Sequence, residues 1–232
     1  MLFDLRSRGR RHTVRVIYLF LALVMVAGLV LVGVGTGTSG GGLLNAFTNN
    51  GNGGSGQGQV LSQQTKAAIK ATEKNPQSAT AWASLVTARF SEAESGSNYN
   101  STTGVFSKAG KEQLQLAADA WQKYLTVSNN KPSFEAASLA ARTYQNLGQW
   151  KNASSAWEFA AGTQASNSAT ARGPLMCMAF SAYAAGNTST GDLAAAKAVA
   201  LTPKLQRLTT QSTFKSAKTS ATTAQGYLLQ NC

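Results

Sequence analysis

The sequence predicts an all-helical domain preceded by one transmembrane helix, and three observations lead to this fold class. Residues 16–34 are nineteen successive residues without a charge, mostly Val and Leu. Residues 36–59 are mostly Gly, Ser, Asn and Thr. From residue 60 onward, Ala-rich stretches place apolar residues at i, i+3 and i+4, which is the helical period. The same region lacks the alternation and the hairpin dipeptides that mark strands.

The apolar run has the length of a membrane-spanning helix. Nineteen residues of helix are about 29 Å long, close to the thickness of the bilayer core, so we predict a transmembrane helix over 16–35. Five arginines lie within residues 1–15, and the next basic residue after the run is Lys66. The positive-inside rule makes residues 1–15 a basic cytoplasmic tail of a single-pass plasma-membrane protein, with everything after residue 35 outside.

A cleaved signal peptide with the same orientation is the alternative. Its apolar core normally has about 7–15 residues and ends in a small-x-small site. Here the core is longer, and residues 36–42 hold no clear Ala-x-Ala, so the sequence favours the anchor.

Residues 36–59 are predicted to be a flexible linker. The stretch contains one apolar patch, at 43–47, and is otherwise small and polar. Such a composition cannot bury enough apolar surface to offset the entropy of ordering the chain. The exported domain is therefore expected to be tethered loosely, over residues 60–232.

The basic charge is spread along the chain. Of the formal net charge of +12, the first fifteen residues carry +4, and the rest contains no pair of adjacent Lys or Arg residues. Nucleic-acid binding needs a clustered basic stripe, so we predict no nucleic-acid partner. A scattered excess is typical of a solvated face, although it favours anionic surroundings at low salt.

A repeat of about 34 residues runs through the helical region. Its clearest copy, within 137–160, places an aromatic residue before a glycine, then an aromatic, a small, a large and a small residue: Tyr144, Gly148, Trp150, Ala153, Trp157 and Ala160. Gly148 can end a helix at positive φ, and Ala153 lets two helices approach closely.

This spacing resembles the tetratricopeptide repeat (TPR). A first copy is split into Trp82 and Leu85, then an insertion over 91–110, then the small-large spacing of Ala117, Trp121 and Tyr124. A third copy consists of Leu175, Gly186, Gly191 and Ala198. The resemblance implies a TPR-like α-solenoid of about three helix pairs, with a C-terminal capping helix over about 204–229. The alternative is a generic Ala-rich helical bundle.

The overall layout is similar to exported TPR proteins of high-GC Gram-positive bacteria. The resemblance implies a groove along the first helix of each repeat that takes an extended peptide or a partner helix. It assigns eight residues to this groove: Thr87, Phe90, Arg142, Gln145, Asn146, Met176, Phe180 and Tyr183. For Phe90, Met176 and Phe180 a place in the core is the alternative, whereas a lone Arg in an Ala-rich helix rarely faces the core. The insertion, with Tyr99, Val105 and Phe106, is a second candidate contact surface.

The residue types argue against catalysis. The only histidine, His12, lies in the predicted cytoplasmic tail, so the exported domain has no imidazole base and no histidine ligand for a metal. Glu92 and Glu94 point to different faces of a helix, and no phosphate-binding loop or metal-spaced cluster occurs. We therefore expect no enzyme, no cofactor and no metal. A Ser-Lys pair remote in sequence stays open.

Cys177 and Cys232 both lie outside the membrane on this topology, where disulfides persist. One interpretation is a bridge that ties the C-terminal residue to the third repeat. The other is a buried Cys177 and a free Cys232.

These sequence patterns are compatible with two functional hypotheses. The leading hypothesis is a membrane-anchored scaffold or adaptor that binds protein partners on the outer side of the membrane. The alternative is a basic envelope-surface protein that binds anionic wall polymer or lipid headgroups, in which case salt should weaken binding.

Overall fold

The computed structural model describes residues 55–165 and 168–232, which belong to one compact unit. The predicted tail, the transmembrane span over 16–35 and most of the linker lie outside the described residues. None of the helices within those two ranges is both long enough and apolar enough to cross a bilayer.

The described residues fold almost entirely into helices, which confirms the all-α class. Nine α-helices follow one another along the chain: α1 Ser55–Lys74, α2 Ala79–Ala93, α3 Lys108–Val127, α4 Phe134–Asn146, α5 Trp150–Gly162, α6 Arg172–Ala184, α7 Thr188–Ala200, α8 Arg207–Thr219 and α9 Ala221–Asn231. Short 3-10 turns occupy Gly96–Asn98, Ala169–Ala171 and Lys204–Gln206, and two strands, β1 Tyr99–Asn100 and β2 Val105–Phe106, lie between α2 and α3.

The helices pack mainly against their neighbours in sequence. The closest associations join α2 with α3, α4 with α5, α5 with α6, and α6 with α7. α1 packs on α2, and α9 returns to pack on α6.

Two helix pairs turn in the same way. Gly148, between α4 and α5, has φ of 69°, and Gly186, between α6 and α7, has φ of 74°. At the first turn the Gln149 amide donates to the Tyr144 carbonyl at 2.8 Å, and at the second the Asn187 amide donates to the Ala182 carbonyl at 2.8 Å. These bonds satisfy carbonyls at the helix end. The predicted role of Gly148 is therefore confirmed.

Small residues bring the helices together. Ala137, Ala140 and Ala141 of α4 and Ala153 and Ala160 of α5 are fully buried. The largest fully buried side chains include Trp121 and Phe180, which fill the space between the helices.

The insertion contains the only strands in residues 55–165 and 168–232, and the sequence did not predict them. Tyr99 pairs with Phe106 and Asn100 with Val105 in antiparallel register. Strands of two residues are too short to show a period of two, so alternation could not reveal them. A second, smaller core cluster of Phe90, Ala93, Phe106 and Leu114 lies beneath this hairpin.

The two ends of the domain differ from the prediction. α1 begins at Ser55, within the stretch assigned to the linker, because extending an existing helix costs far less than starting one. The C-terminal cap is two helices rather than one. Ser220 between them is extended, with φ of −146°, and its hydroxyl accepts a hydrogen bond from the Thr223 amide at 3.2 Å. That capping bond starts a new helix.

Candidate functional site

An open groove of about 600 Å³ is the main concave feature near the predicted binding face. α2 forms its floor, and α1 and the start of α4 form its walls. The lining residues are almost all small: Gln64, Ala67, Ala68, Ala71, Thr80, Ala83, Ser84, Thr87, Ala88, Ser91, Ser133, Glu135 and Ala136. Glu135 is the single ionisable side chain among them. A polypeptide can therefore approach the floor closely.

Local capping bonds fix the elements that form the groove. The Ser78 hydroxyl accepts from the Ala81 amide at 3.2 Å and starts α2, and the Ser133 hydroxyl does the same for the Ala136 amide at the start of α4. The Thr65 hydroxyl of α1 donates to the Ala88 carbonyl of α2 at 3.4 Å, which ties the wall to the floor.

Four hydroxyl groups run along the floor. Thr80, Ser84, Thr87 and Ser91 follow one another at helical spacing on the groove face of α2. Thr87, one of the eight predicted groove residues, is exposed, and its hydroxyl donates to the Ala83 carbonyl at 3.2 Å. The oxygen of that hydroxyl remains able to accept a hydrogen bond from a ligand.

Arg142 lies at the edge of this region, half exposed as predicted. Its guanidinium carbon is 5.3 Å from the centre of the Phe90 ring, in a cation–π arrangement. Its Nη2 atom is 3.9 Å from Glu94 Oε1. Burial raises the pKa of the Glu94 carboxyl above its ordinary value, and the Arg142 charge opposes part of that rise. Most of the five guanidinium N–H groups thus remain available to a ligand.

The other predicted residues of the first and second repeats are less accessible. Phe90 is buried beneath Arg142, so the alternative place in the core holds for it. Gln145 is only 7% exposed, and its Nε2 atom has no hydrogen-bond partner among the described residues. Asn146 is half buried at the last residue of α4.

Two of the three predicted residues of the third repeat, Phe180 and Tyr183, are buried. Phe180 is fully buried, with its ring centre 3.8 Å from that of Tyr227 of α9 and 4.9 Å from that of Phe214 of α8. Tyr183 is buried, and Met176 is half buried. The assignment of Phe180 and Tyr183 to an open groove is therefore wrong in this structure, because Phe214 of α8 and Tyr227 of α9 pack on Phe180, and Gly191 of α7 lies against the Tyr183 ring.

Tyr183 takes part in a polar contact between α6, α7 and α8. Its hydroxyl donates to Asp192 Oδ1 at 3.0 Å, and Lys218 Nζ donates to Asp192 Oδ2 at 2.6 Å. Burial, reinforced by the hydrogen bond and the charge of Asp192, raises the pKa of Tyr183. The hydrogen bonds from Lys218 and then Tyr183 lower the pKa of Asp192. This contact holds α8 in place over the third repeat.

The hairpin presents a second open concave surface. Residues 96–107 line an open cavity of about 670 Å³. The Asn100 carboxamide accepts from the Thr102 and Thr103 amides at 3.0 and 3.1 Å, which shapes the turn. Of the residues predicted as contacts, Val105 is 58% exposed and Tyr99 half buried, whereas Phe106 is buried.

The two cysteines are joined in the structure. Cys177 of α6 and Cys232 after α9 form a disulfide, with Cα atoms 5.9 Å apart. In the part of the chain that the structure describes, no three His, Cys, Asp or Glu side chains are grouped so that they could hold a metal ion.

Sequence reasoning missed the contribution of α1 to the groove. Gln64, Ala67, Ala68 and Ala71 occur at helical spacing, so the pattern predicted their helix but not what it would pack against. Against known proteins, the chain matches no family model, no curated protein and no solved structure.

Proposed function

We propose that this protein is a membrane-anchored adaptor on the outer side of the cytoplasmic membrane, whose TPR-like domain binds a segment of another protein. The observation that carries the proposal is the small-residue groove on α2, between α1 and α4. It is open, about 600 Å³ in volume, and floored by side chains no larger than threonine.

The repeated geometry of the helix pairs supports a TPR-like solenoid. Gly148 and Gly186 end the first helix of successive pairs in the same backbone conformation and with equivalent hydrogen bonds. Ala153 and Ala198 are both fully buried in the second helices, as the repeat pattern expects of its small positions. From α1 to α7 each helix also packs on the next one in the sequence, which is how a solenoid buries its core.

The lining favours a peptide ligand with small side chains. Alanine walls offer apolar contact without filling the groove, and the hydroxyls of Thr80, Ser84, Thr87 and Ser91 offer hydrogen bonds along its length. An extended peptide or a helix with small side chains can use both. Arg142, next to Phe90 at the far end of α2, is placed to contact a carbonyl or carboxylate of the ligand.

The groove offers little for acid–base chemistry. Among its lining residues only Glu135 is ionisable, and no histidine occurs in residues 55–165 or 168–232. The proposal is therefore binding without catalysis.

The test is mild cross-linking in intact cells followed by detergent extraction and pull-down. Ser84→Trp fills the floor of the groove, and Ser155→Trp, on an exposed position of α5, is the matched control. We expect partners of the wild type to be lost with Ser84→Trp and retained with Ser155→Trp. Arg142→Glu should weaken recovery, whereas Lys151→Glu, an equal change of charge on α5, should not.

Two results would contradict the adaptor. One is recovery of the same proteins with both tryptophan variants. The other is capture of anionic wall polymer that disappears at moderate salt for all variants, which would favour the envelope-surface alternative.

A further inference from the structure

The corner between the end of α7 and the start of α8 displays leucine side chains that no described residue covers. Leu205 is 99% exposed and Leu208 is 80% exposed. They are three residues apart on consecutive helical turns, so they lie on the same side of the chain. Single exposed leucines are common on protein surfaces, but two neighbouring leucines exposed to this degree form a small protruding apolar patch.

The corner is held rigidly. The Arg207 Nε atom donates to the Thr202 carbonyl at 2.9 Å, and its Nη2 atom donates to the Ala200 carbonyl at 3.1 Å. A guanidinium at the C-terminal end of a helix also complements the helix dipole. Arg207 therefore fixes the start of α8 to the end of α7. Leu205 precedes Arg207 and Leu208 follows it, so both leucines are held in exposed positions.

The surroundings of the leucines are basic. Asp192 is the last acidic residue in the sequence, and the forty residues after it contain five basic side chains and no Asp or Glu. Lys204 immediately precedes Leu205, and Lys215 follows Leu208 by two turns on the same face of α8. Both lysines are exposed and form no ion pair among the described residues. Asp192 itself is neutralised by Lys218.

We propose that this corner, defined by Lys204, Leu205, Leu208 and Lys215, docks on an anionic lipid bilayer. The lysines approach the headgroups, and the leucines enter the boundary between headgroups and acyl chains, about 5–10 Å deep. Each lysine near an anionic surface strengthens binding about fivefold. Protruding apolar side chains with flanking cations and no anion fit a bilayer better than a soluble polyanion. A soluble polyanion offers no apolar phase in which the leucine side chains could be buried.

The predicted tether is long enough for this contact. Nineteen residues separate the predicted membrane span from the start of α1, and fully extended they reach about 63 Å. A compact domain of this size has a radius of gyration of about 16 Å. The linker therefore permits the C-terminal end of the domain to face the bilayer.

The experiment uses tryptophan depth in the full chain. Leu208→Trp and Leu116→Trp are each compared with the unsubstituted protein in vesicles of phosphatidylcholine, with and without about 30% phosphatidylglycerol as the anionic lipid, and with dibrominated acyl chains as the quencher. Leu116 is the matched control because it is an exposed leucine on α3 with the acidic Glu112 and Asp119 at neighbouring helical positions.

We expect the added emission of Leu208→Trp to fall by about half in anionic brominated vesicles and to change little in phosphatidylcholine alone. Replacing Lys204 and Lys215 by glutamine in the same chain should lower the ratio of docked to undocked protein about 25-fold. Leu116→Trp should stay unquenched in both lipids. Thermal unfolding of each variant verifies that the fold is retained.

Quenching of Leu208→Trp no greater than that of Leu116→Trp would overturn the proposal. So would binding of soluble polyphosphate that requires Lys204 and Lys215 but ignores Leu205→Ser and Leu208→Ser, since the surface would then belong to a polyanion. The result is independent of the proposed anchor and groove. Quenching at residue 208 would support the docking surface whether or not residues 16–35 span the membrane, because it reports the depth of that residue alone.

Discussion

Removing the disulfide should destabilise the domain by a calculable amount. Cys232→Ser is the cleaner perturbation, because Cys232 is the last residue and half exposed, whereas Cys177 is buried in α6. The substitution replaces one sulfur by oxygen and leaves the α6–α9 contacts, including the Phe180–Tyr227 stacking, free to persist. Its main effect is thus the loss of the covalent link.

The magnitude follows from the loop that the link closes. A sequence separation of 55 residues gives a chain-entropy contribution of about 4 kcal/mol at 25 °C. For a domain of this size each kcal/mol corresponds to about 2–4 °C in Tm, so we expect Tm to fall by about 10 °C. Residual structure in the unfolded chain makes this an upper value.

The assay is thermal unfolding of wild type and Cys232→Ser, each with and without dithiothreitol. The reductant should lower the Tm of the wild type to that of the variant and leave the variant unchanged. Intact mass after thiol alkylation should show two reactive thiols in the wild type only after reduction. A wild-type Tm that ignores the reductant, together with two alkylated thiols before reduction, would refute the reasoning.

Three further predictions concern packing and charge. A Cβ on Gly191 would overlap carbon atoms of the Tyr183 ring, so Gly191→Ala should destabilise by about 1–3 kcal/mol in urea unfolding, whereas Gly226→Ala, with open space around it, should be neutral or slightly stabilising. Because Phe180 is fully buried, Phe180→Ala should cost about 3–5 kcal/mol; a loss below about 1 kcal/mol would mean that it lies in an open groove instead. Burial raises the pKa of Glu94 in the folded state, so the stability that this carboxyl contributes is present at acid pH and is lost as pH rises through the raised pKa. Glu94→Gln should therefore flatten this part of the pH profile of the free energy of unfolding by less than about 1 kcal/mol, because the side chain is partly exposed, and an unchanged profile would contradict the burial argument.

Local sequence patterns were sufficient to predict the helices and the turns between them. Periodic apolar residues predicted the helical class, and Gly148 was predicted to end a helix at positive φ, because both properties depend on a few adjacent residues. The buried Ala153 and Trp157 were likewise predicted from spacing alone, since a repeat fixes which side of a helix faces its partner. The exposure of Arg142 followed from its charge.

The groove depended on contacts that no local pattern specifies. The TPR resemblance assigned both Thr87 and Phe180 to the groove, yet Thr87 lines an open groove and Phe180 is buried. The difference arises because α1 leaves the face of α2 open, whereas α8 and α9 fold back over α6 and are held there by the Asp192 contact and the disulfide.

Sequence by itself thus determined the helical class, the turn glycines and the small residues that let helices meet, because each follows from backbone preference and helical period. Only the tertiary structure decided the two-residue strands, the break at Ser220 and the accessible part of the binding face. Those features depend on which distant segments cover one another, and a residue's exposure is a property of its neighbours in space rather than of its own position in a repeat.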